Sequence, residues 1–234
     1  MATVKKIRPS DSKPSAGQLQ IVKLTAENFA EYRHFCCRSP KYLEYYKRKS
    51  NWLLKRFEEG LEYRILQVDG AIAGFLESIP GEYAWRGVSA PGYLFIHCFW
   101  VLGRNKGKGY GTELLNTCLR DARASGYSGV AVLTSFEHWL PNKRIFEKMG
   151  FEQVDSAPPA FELYAMQFAR DAKPAHIREG WKMAGALPKG LTLLESDQCP
   201  YIHVMAESIH NIGRELGIPV NVMRIETAKQ AQQS

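Results

Sequence analysis

Hydrophobic and polar residues alternate in short blocks along most of this chain, and glycine, proline or polar turn residues separate the blocks. The strand-like blocks lie at 19–24, 61–68, 71–78, 93–101, 129–134, 151–154 and 161–168. Apolar residues at helical spacing predict helices between these strands, at 26–36 with Thr25 as the cap, and at 40–59, 111–125 and 141–149. This succession of strands and helices predicts a mixed fold of the α/β (α+β) class.

Composition divides the chain into segments. Residues 1–18 carry Lys, Ser, Pro and Gly with little apolar periodicity, which predicts a flexible tail. Residues 19–170 hold the strands and helices above, and proline, glycine and alanine in 171–190 predict a linker. The last segment, 191–234, contains a strand at 191–195, a helix ending near 216 and a strand at 218–225. It is therefore predicted to form a small β-α-β unit.

Charge and cysteine content narrow the function classes. The 234 residues include 31 Lys and Arg against 24 Asp and Glu, and this net charge of +7 favours an acidic partner such as a polyphosphate cofactor. The charge is diffuse, so a nucleic-acid partner is disfavoured. The longest apolar run, 93–102, has about half the roughly 20 residues that a membrane span needs. An odd number of cysteines and no signal-peptide pattern predict a cytoplasmic protein without a disulfide framework.

A glycine-rich basic loop follows the apolar strand 93–101 and precedes a helix. Its sequence is Gly103-Arg104-Asn105-Lys106-Gly107-Lys108-Gly109-Tyr110-Gly111. Glycines let backbone N–H groups converge on a phosphate, and the helix N-terminus adds partial positive charge. The loop has no Gly-Lys-Ser/Thr, which excludes the phosphate loop of NTPases. Its glycine spacing also does not suit a dinucleotide-binding β-α-β unit.

Two motifs occur in a characteristic order. The loop contains the pattern Arg/Gln-x-x-Gly-x-Gly/Ala in two registers, beginning at Arg104 or, with Lys in place of Arg, at Lys106. The second register has the more usual distance from the strand and ends where the predicted helix begins, so we favour it. Downstream, Asn142 precedes the run 146–151, Phe-Glu-Lys-Met-Gly-Phe. Together these motifs resemble the acyl-CoA pyrophosphate loop and the second signature of the GNAT N-acetyltransferases.

This resemblance implies a GNAT acyl-CoA N-acyltransferase fold, with acetyl-CoA as co-substrate between strands 93–101 and 129–134. It implies transfer of the acetyl group to a primary amine of a small molecule or peptide, by direct attack in a ternary complex. Backbone N–H groups near Trp100 and Val101 would polarise the thioester. The implied cofactor-binding residues are Trp100, Val101, Arg104, Lys106, Gly107, Lys108, Gly109, Tyr110, Gly111, Asn142 and Phe146. Relatives often have a tyrosine acid at the position of Phe146, which has no hydroxyl.

Two residues are candidates for acid–base catalysis. His97 lies four residues before Val101, and the usual pKa of histidine suits a general base. A core histidine bonded within the sheet is the alternative. Glu77, near the end of its strand, could remove a proton through water, or it could be an ordinary solvated carboxylate.

The C-terminal unit contains a second resemblance. Its run 196–201, Ser-Asp-Gln-Cys-Pro-Tyr, resembles the Cys-Pro-Tyr start of thioredoxin-like folds, although Ile202 stands where Cys-x-x-Cys would need a second cysteine. Together with the GNAT motifs, this resembles acetyltransferases that carry a YoaP-type C-terminal region. Cys199, at the start of a helix, is therefore a possible reactive thiol. The alternative function is a thiol- or soft-metal-handling module that uses CoA only as a ligand, whereas the leading hypothesis needs no metal.

Overall fold

The computed structural model describes residues 18–137, 139–180 and 187–233, and the predicted tail lies outside them apart from Gln18. Within the described residues, one mixed sheet contains β1 (Leu19–Leu24), β2 (Glu62–Val68), β3 (Ala71–Pro80), β5 (Tyr93–Val101), β6 (Gly129–Thr134), β7 (Glu152–Ala157) and β8 (Phe161–Gln167). Their order is β1-β2-β3-β5-β6-β8-β7. Neighbouring strands are antiparallel except β5 and β6, which are parallel. The predicted mixed class is confirmed.

Helices and short strands complete the fold. The helices are α1 (Phe29–Tyr32), α2 (Leu43–Phe57), α3 (Tyr110–Ala124), α4 (Lys143–Lys148), α5 (Tyr201–Leu216) and α6 (Ala228–Gln233). Two short strands, β4 (Val88–Ser89) and β9 (His176–Ile177), pair with each other, so β9 lies inside the predicted linker. In the C-terminal unit, α5 connects the parallel strands β10 (Leu191–Glu195) and β11 (Val220–Arg224). The predicted β-α-β unit is confirmed, while α6 was not predicted.

The first helix differs from its prediction. It ends at Tyr32 because the next residue, Arg33, has a positive φ of 54°, and Cys37 has one of 55°. Asn28 rather than Thr25 precedes the helix, and the two side chains bond reciprocally to each other's backbone N–H. The chain therefore turns twice where apolar spacing alone predicted a continuous helix.

Alternate residues along the strands pack into two hydrophobic cores, one on each face of the sheet. Leu66 packs in a cluster with residues of α3 and α4, whereas its neighbour Ile65 packs in a cluster with residues of α2. The second cluster also contains Ile225, Ala228 and Ala231 of the C-terminal unit. The C-terminal unit is thus packed into the same core as α2. Among the described helices, none combines the length and apolar character needed to cross a membrane.

Candidate active site

The candidate site begins where β5 and β6 separate. The two strands pair from Tyr93 opposite Gly129 to Ile96 opposite Val132. Beyond Ile96, β5 continues to pair with β3 as far as Val101, while β6 continues to pair with β8. A wedge therefore opens between β5 and β6 on the C-terminal side of Ile96.

Backbone N–H groups near the end of β5 point alternately toward the wedge and toward β3. The Leu102 N–H donates to the Ala73 carbonyl at 2.9 Å, which places it on the β3 side. Successive N–H groups of a strand point to opposite edges, so the Val101 N–H is directed toward the wedge and the Trp100 N–H toward β3. The Val101 N–H is therefore the better placed donor, and Trp100 as a cofactor contact stays a prediction. Its side chain is 50% exposed, and the Lys106 ammonium lies 5.1 Å from its ring centroid.

The glycine-rich loop lies between the end of β5 and the start of α3. Gly107 and Gly109 have positive φ angles of 77° and 83°, and Gly109 caps α3. A Cβ atom at either glycine would meet no other atom within 4 Å. The loop surface is thus open at the positive end of a helix dipole. Exposed basic side chains surround it at Arg104, Lys106 and Lys108.

Gly111 has a different role from the other loop glycines. It is the second residue of α3 and is buried. A Cβ atom there would lie 2.9 Å from Ile145 Cδ1 and 3.0 Å from Phe99 Cζ. The last glycine of the motif therefore lets α3 pack closely against β5 and α4, and only the preceding glycines form the open surface.

The second motif builds α4. The Asn142 side chain caps the helix by accepting the Arg144 N–H at 3.0 Å. Phe146 is 0% exposed, with its ring centroid 5.8 Å from that of Phe99 and 5.3 Å from that of Phe151. Assignment of Phe146 to the cofactor surface is therefore corrected: the ring fills the core beneath α4, where its apolar surface is removed from water.

His97 and Glu77 lie at the point where the wedge opens. Glu77 is opposite Cys98 and Ser78 is opposite Ile96, so His97 is the extra residue of a β-bulge. Glu77 lies inside β3 and is 1% exposed, which corrects the alternative of a solvated carboxylate. The bulge brings the two residues together, since His97 Nδ1 is 3.2 Å from Glu77 Oε1.

A buried polar network surrounds this pair. Glu77 Oε2 accepts a hydrogen bond from Lys49 Nζ at 2.6 Å, and Glu77 Oε1 accepts one from Gln198 Nε2 at 3.0 Å. Lys49 also donates to the Gln198 carbonyl at 2.6 Å. On the other side, His97 Nε2 accepts the Trp85 N–H at 2.9 Å. Side chains from the sheet, α2 and the C-terminal unit therefore meet in one cluster.

The network sets the ionisation of both candidates. Burial alone would raise the pKa of Glu77, but attraction to Lys49, its hydrogen bond and the close His97 ring outweigh it and lower that pKa to about 2. Burial lowers the pKa of His97 to about 4, although Glu77 opposes the shift. At neutral pH the cluster thus contains a carboxylate and a neutral imidazole whose Nε2 already accepts a hydrogen bond from the Trp85 N–H. The expectation of a His97 pKa near neutrality is wrong.

Acid should destabilise the protein through His97. The charged groups facing it are Glu77 from β3, Lys49 from α2 and Arg86 from the loop after β3. The pKa of histidine is about 6.5 in the unfolded chain, whereas that of His97 in the folded protein is about 4. Its contribution to the free energy of unfolding is therefore full above pH 6.5 and is lost as the pH falls toward 4, because the unfolded chain binds the proton first. We expect a loss of roughly 1 kcal/mol per pH unit from this residue. Urea denaturation between pH 7 and pH 4.5 measures it.

The variant His97→Gln should reduce that slope, to which buried His34, with its pKa lowered to about 3, also contributes. The matched control is His210→Gln, at an exposed position of α5, which should leave the slope unchanged. An equal slope in wild type and His97→Gln would show that His97 is not buried in its neutral form.

Sequence reasoning missed Lys49 and Gln198. Lys49 lies on the same face of α2 as Trp52 and Leu53, and it is 1% exposed. A lysine at a core-facing helical position needs a buried carboxylate partner, so this spacing was a signal that could have been used. Gln198 had no such signal, because nothing in a polar loop shows which distant residues it will contact.

Comparisons with known proteins agree with these features. The profile of the acetyltransferase (GNAT) family matches residues 26–151 of the chain. The uncharacterized N-acetyltransferase YoaP of Bacillus subtilis (strain 168) is 30% identical over 217 residues, which cover 91% of this chain and 85% of that protein. The chain belongs to the GNAT acetyltransferase family. Because 217 aligned residues exceed the length of the 19–170 segment, the similarity to YoaP includes the C-terminal region.

Solved structures of GNAT proteins match part of this chain. An N-acetyltransferase, PaiA, from Thermoplasma acidophilum in complex with coenzyme A matches with a TM-score of 0.47 and 14% identity, over 64% of this chain and 99% of that one. A GNAT family acetyltransferase from Brucella melitensis in complex with acetyl-CoA matches with a TM-score of 0.45 and 16% identity, over 68% and 92%. The family assignment rests on the sequence matches.

In this GNAT protein, Cys199 lies in the loop before α5 and is half-buried. Helix α5 begins at Tyr201, and the Cys199 carbonyl accepts the Ile202 N–H at 3.2 Å. The thioredoxin-like interpretation of this region stays a prediction. Within residues 18–137, 139–180 and 187–233, no group of three or more His, Cys, Asp or Glu side chains is arranged to hold a metal ion.

Brief alkylation should label Cys199 first. Burial raises the pKa of Cys37 to about 11 and those of Cys98 and Cys118 to about 12, and it raises that of Cys36 well above its usual value. Since the thiolate is the reactive form, we expect Cys199 to react at least about tenfold faster than the other four at pH 7.5. Peptide mapping after short exposure to iodoacetamide measures this.

The variant Cys199→Ser is the control, because it should remove the fast phase and leave the slow labelling unchanged. Equal rates at Cys199 and Cys98 would contradict the assignment of Cys199 as the reactive thiol.

Proposed function

We propose that this protein transfers an acetyl group from acetyl-CoA to a primary amine by direct attack in a ternary complex. The observation that carries the proposal is the wedge between β5 and β6, with an open glycine loop at the N-terminus of α3 beside it. Membership of the GNAT acetyltransferase family supports the same reaction.

The loop residues fit a pyrophosphate. Open positions at Gly107 and Gly109 let backbone N–H groups approach closely, and the basic side chains around them supply counter-charge. Val101 would donate its N–H to the thioester oxygen in the wedge, where negative charge develops as the amine attacks. Asn142 caps α4 and stays a prediction as a contact of the pantetheine arm.

The reaction itself needs few groups from the protein. The amine nitrogen forms a bond to the carbonyl carbon, the carbon–sulfur bond breaks, and the thiolate of CoA receives a proton from water. Neither Glu77 nor His97 is suited to take the amine proton, because one is a weakly basic carboxylate and the other is engaged at Nε2. We assign removal of that proton to water and give Glu77 and His97 the role of shaping the wedge.

The decisive experiment is an acetyl transfer assay. The protein is incubated with acetyl-CoA, a panel of small-molecule and peptide amines and a free-thiol reagent. Acceptor-dependent release of CoA, together with acetylated amine detected by mass spectrometry, is the expected result. Tight CoA binding without transfer to any amine would reject this function and favour a module that only binds CoA.

Segment boundaries and surroundings belong to the same proposal. Residues 19–170 would form the acetyltransferase domain, 171–190 the linker and 191–234 the C-terminal unit. All five cysteines are unpaired thiols, which supports a reducing compartment such as the cytoplasm.

A further inference from the structure

Gln198 belongs to the C-terminal unit but is buried in the main domain. It lies in the loop between β10 and α5 and is only 3% exposed. Both polar atoms of its side-chain amide are hydrogen-bonded. Its Nε2 donates to Glu77 Oε1 at 3.0 Å, and its Oε1 accepts from Arg86 Nη1 at 2.7 Å. Its carbonyl accepts from Lys49 Nζ at 2.6 Å. Three polar atoms of one residue thus join the network around Glu77.

The Glu77 carboxylate is held from three elements. Lys49 of α2 bonds one oxygen, and the other oxygen lies between Gln198 Nε2 and His97 Nδ1. Because the carboxylate is buried, each donor contributes strongly to its orientation. Loss of the Gln198 donor would leave one oxygen facing His97 alone.

The orientation of Glu77 matters because of where His97 stands. His97 is the bulged residue of β5, one position beyond the last residue that pairs with β6. Its Nδ1 lies next to the Glu77 carboxylate, and its Nε2 accepts the Trp85 backbone N–H. A chain of contacts from Gln198 through Glu77 to His97 therefore fixes the strand at the point where the wedge opens, four residues before the Val101 N–H.

Polar contacts and a shared apolar core hold the C-terminal unit against the main domain. Asp197 bonds Arg48 of α2 at 2.9 Å and Arg224 of β11 at 2.6 Å. Ile225, Ala228 and Ala231 are buried in the core on the α2 face. Removing the unit would expose this apolar surface and leave the Lys49–Glu77 pair uncovered.

We propose that Gln198 is a positioning residue of the active site, so that the C-terminal unit completes the site of its own chain. The inference rests on the proposed acetyl transfer. Gln198 touches neither the thioester nor the amine; it acts by holding Glu77 and, through it, the bulge at His97. The GNAT domain and the C-terminal unit then form one catalytic body.

The test compares Gln198→Met with wild type in the full chain. Methionine has the length and volume of glutamine but donates no hydrogen bond. With the best amine of the transfer assay, we expect kcat to fall about tenfold while the KM for acetyl-CoA stays within about twofold, because the pyrophosphate loop is untouched. Gln198→Glu keeps the bond from Arg86 but places a second carboxylate against Glu77, and it should lower kcat at least as much.

A control variant separates positioning from simple docking. Glu207 of α5 accepts a hydrogen bond from Tyr45 of α2 at 2.6 Å on the exposed side of the interface. Glu207→Ala should therefore loosen the same two elements without changing kcat. The proton on His97 Nδ1 gives a second readout: its NMR resonance should shift in Gln198→Met and stay unchanged in Glu207→Ala.

The remaining outcomes would contradict either the role of Gln198 or the proposed acetyl transfer. Unchanged kcat and an unchanged His97 resonance in folded Gln198→Met would overturn the proposal, and so would an increase in kcat, which would show that the loop obstructs the acceptor. If Gln198→Met does not fold, Gln198→Glu decides by the same criteria. A wild-type protein that acetylates no amine would reject the proposed function instead, and the His97 resonance would still test whether Gln198 holds the pair.

Discussion

Replacing Gly109 with aspartate should abolish acetyl-CoA binding while leaving the protein folded. Gly109 has a φ of 83°, and a side chain there would meet no other atom within 4 Å. Aspartate tolerates this backbone conformation better than most side chains, so α3 should still form at the cost of some local strain. Its carboxylate would stand where we propose that the pyrophosphate binds, and we expect affinity to fall at least about 100-fold. Isothermal titration with CoA measures the loss.

Two further variants separate the contributions of charge and strain. Gly109→Asn adds a side chain of the same shape without the charge and should retain part of the affinity. Gly126→Asn imposes a similar backbone conformation just beyond the other end of α3, at a φ of 77° and also in open space. It should bind CoA like the wild type. Unchanged affinity in Gly109→Asp would show that the loop is not the pyrophosphate site.

Replacing Lys49 with methionine should cost roughly 3–5 kcal/mol of unfolding free energy. Lys49 is 1% exposed, and its ammonium bonds Glu77 and the Gln198 carbonyl and lies 4.2 Å from the Trp52 ring centroid. Methionine fills the space but leaves the Glu77 carboxylate buried without its counter-charge. Urea denaturation at pH 7 measures the change.

The double variant Lys49→Met, Glu77→Gln should recover most of that loss, since it removes the uncompensated charge while glutamine can still bond its neighbours. Lys23→Met is the surface control. Lys23 pairs with Glu62, but its side chain is 51% exposed, so its removal should cost under about 1 kcal/mol. A cost for Lys49→Met as small as that of Lys23→Met would show that Glu77 is not held as a buried carboxylate.

The strand, loop and helix proposed to bind the pyrophosphate are largely predictable from sequence. The β5 strand, the glycine loop and α3 follow one another within 93–124, and each depends on local rules: residues suited to a strand, glycines at positive φ and an amphipathic helix. The turn at Asp69-Gly70 follows from the same kind of rule, since φ angles of 51° and 74° are those that Asp-Gly favours in a hairpin.

Burial and ionisation were decided only by the tertiary structure. Gln198 meets Glu77 across 121 residues of sequence, and Lys49 meets Gln198 across 149. The pKa of His97 is lowered to about 4, and the Phe146 ring is buried and does not face the cofactor, because other parts of the fold cover both residues. Desolvation depends on everything that surrounds a group, whereas a sequence pattern records only its neighbours along the chain. The sequence by itself therefore determined the strand, loop and helix that can hold an anion, and tertiary packing decided which side chains stand beside the wedge and in which charge state.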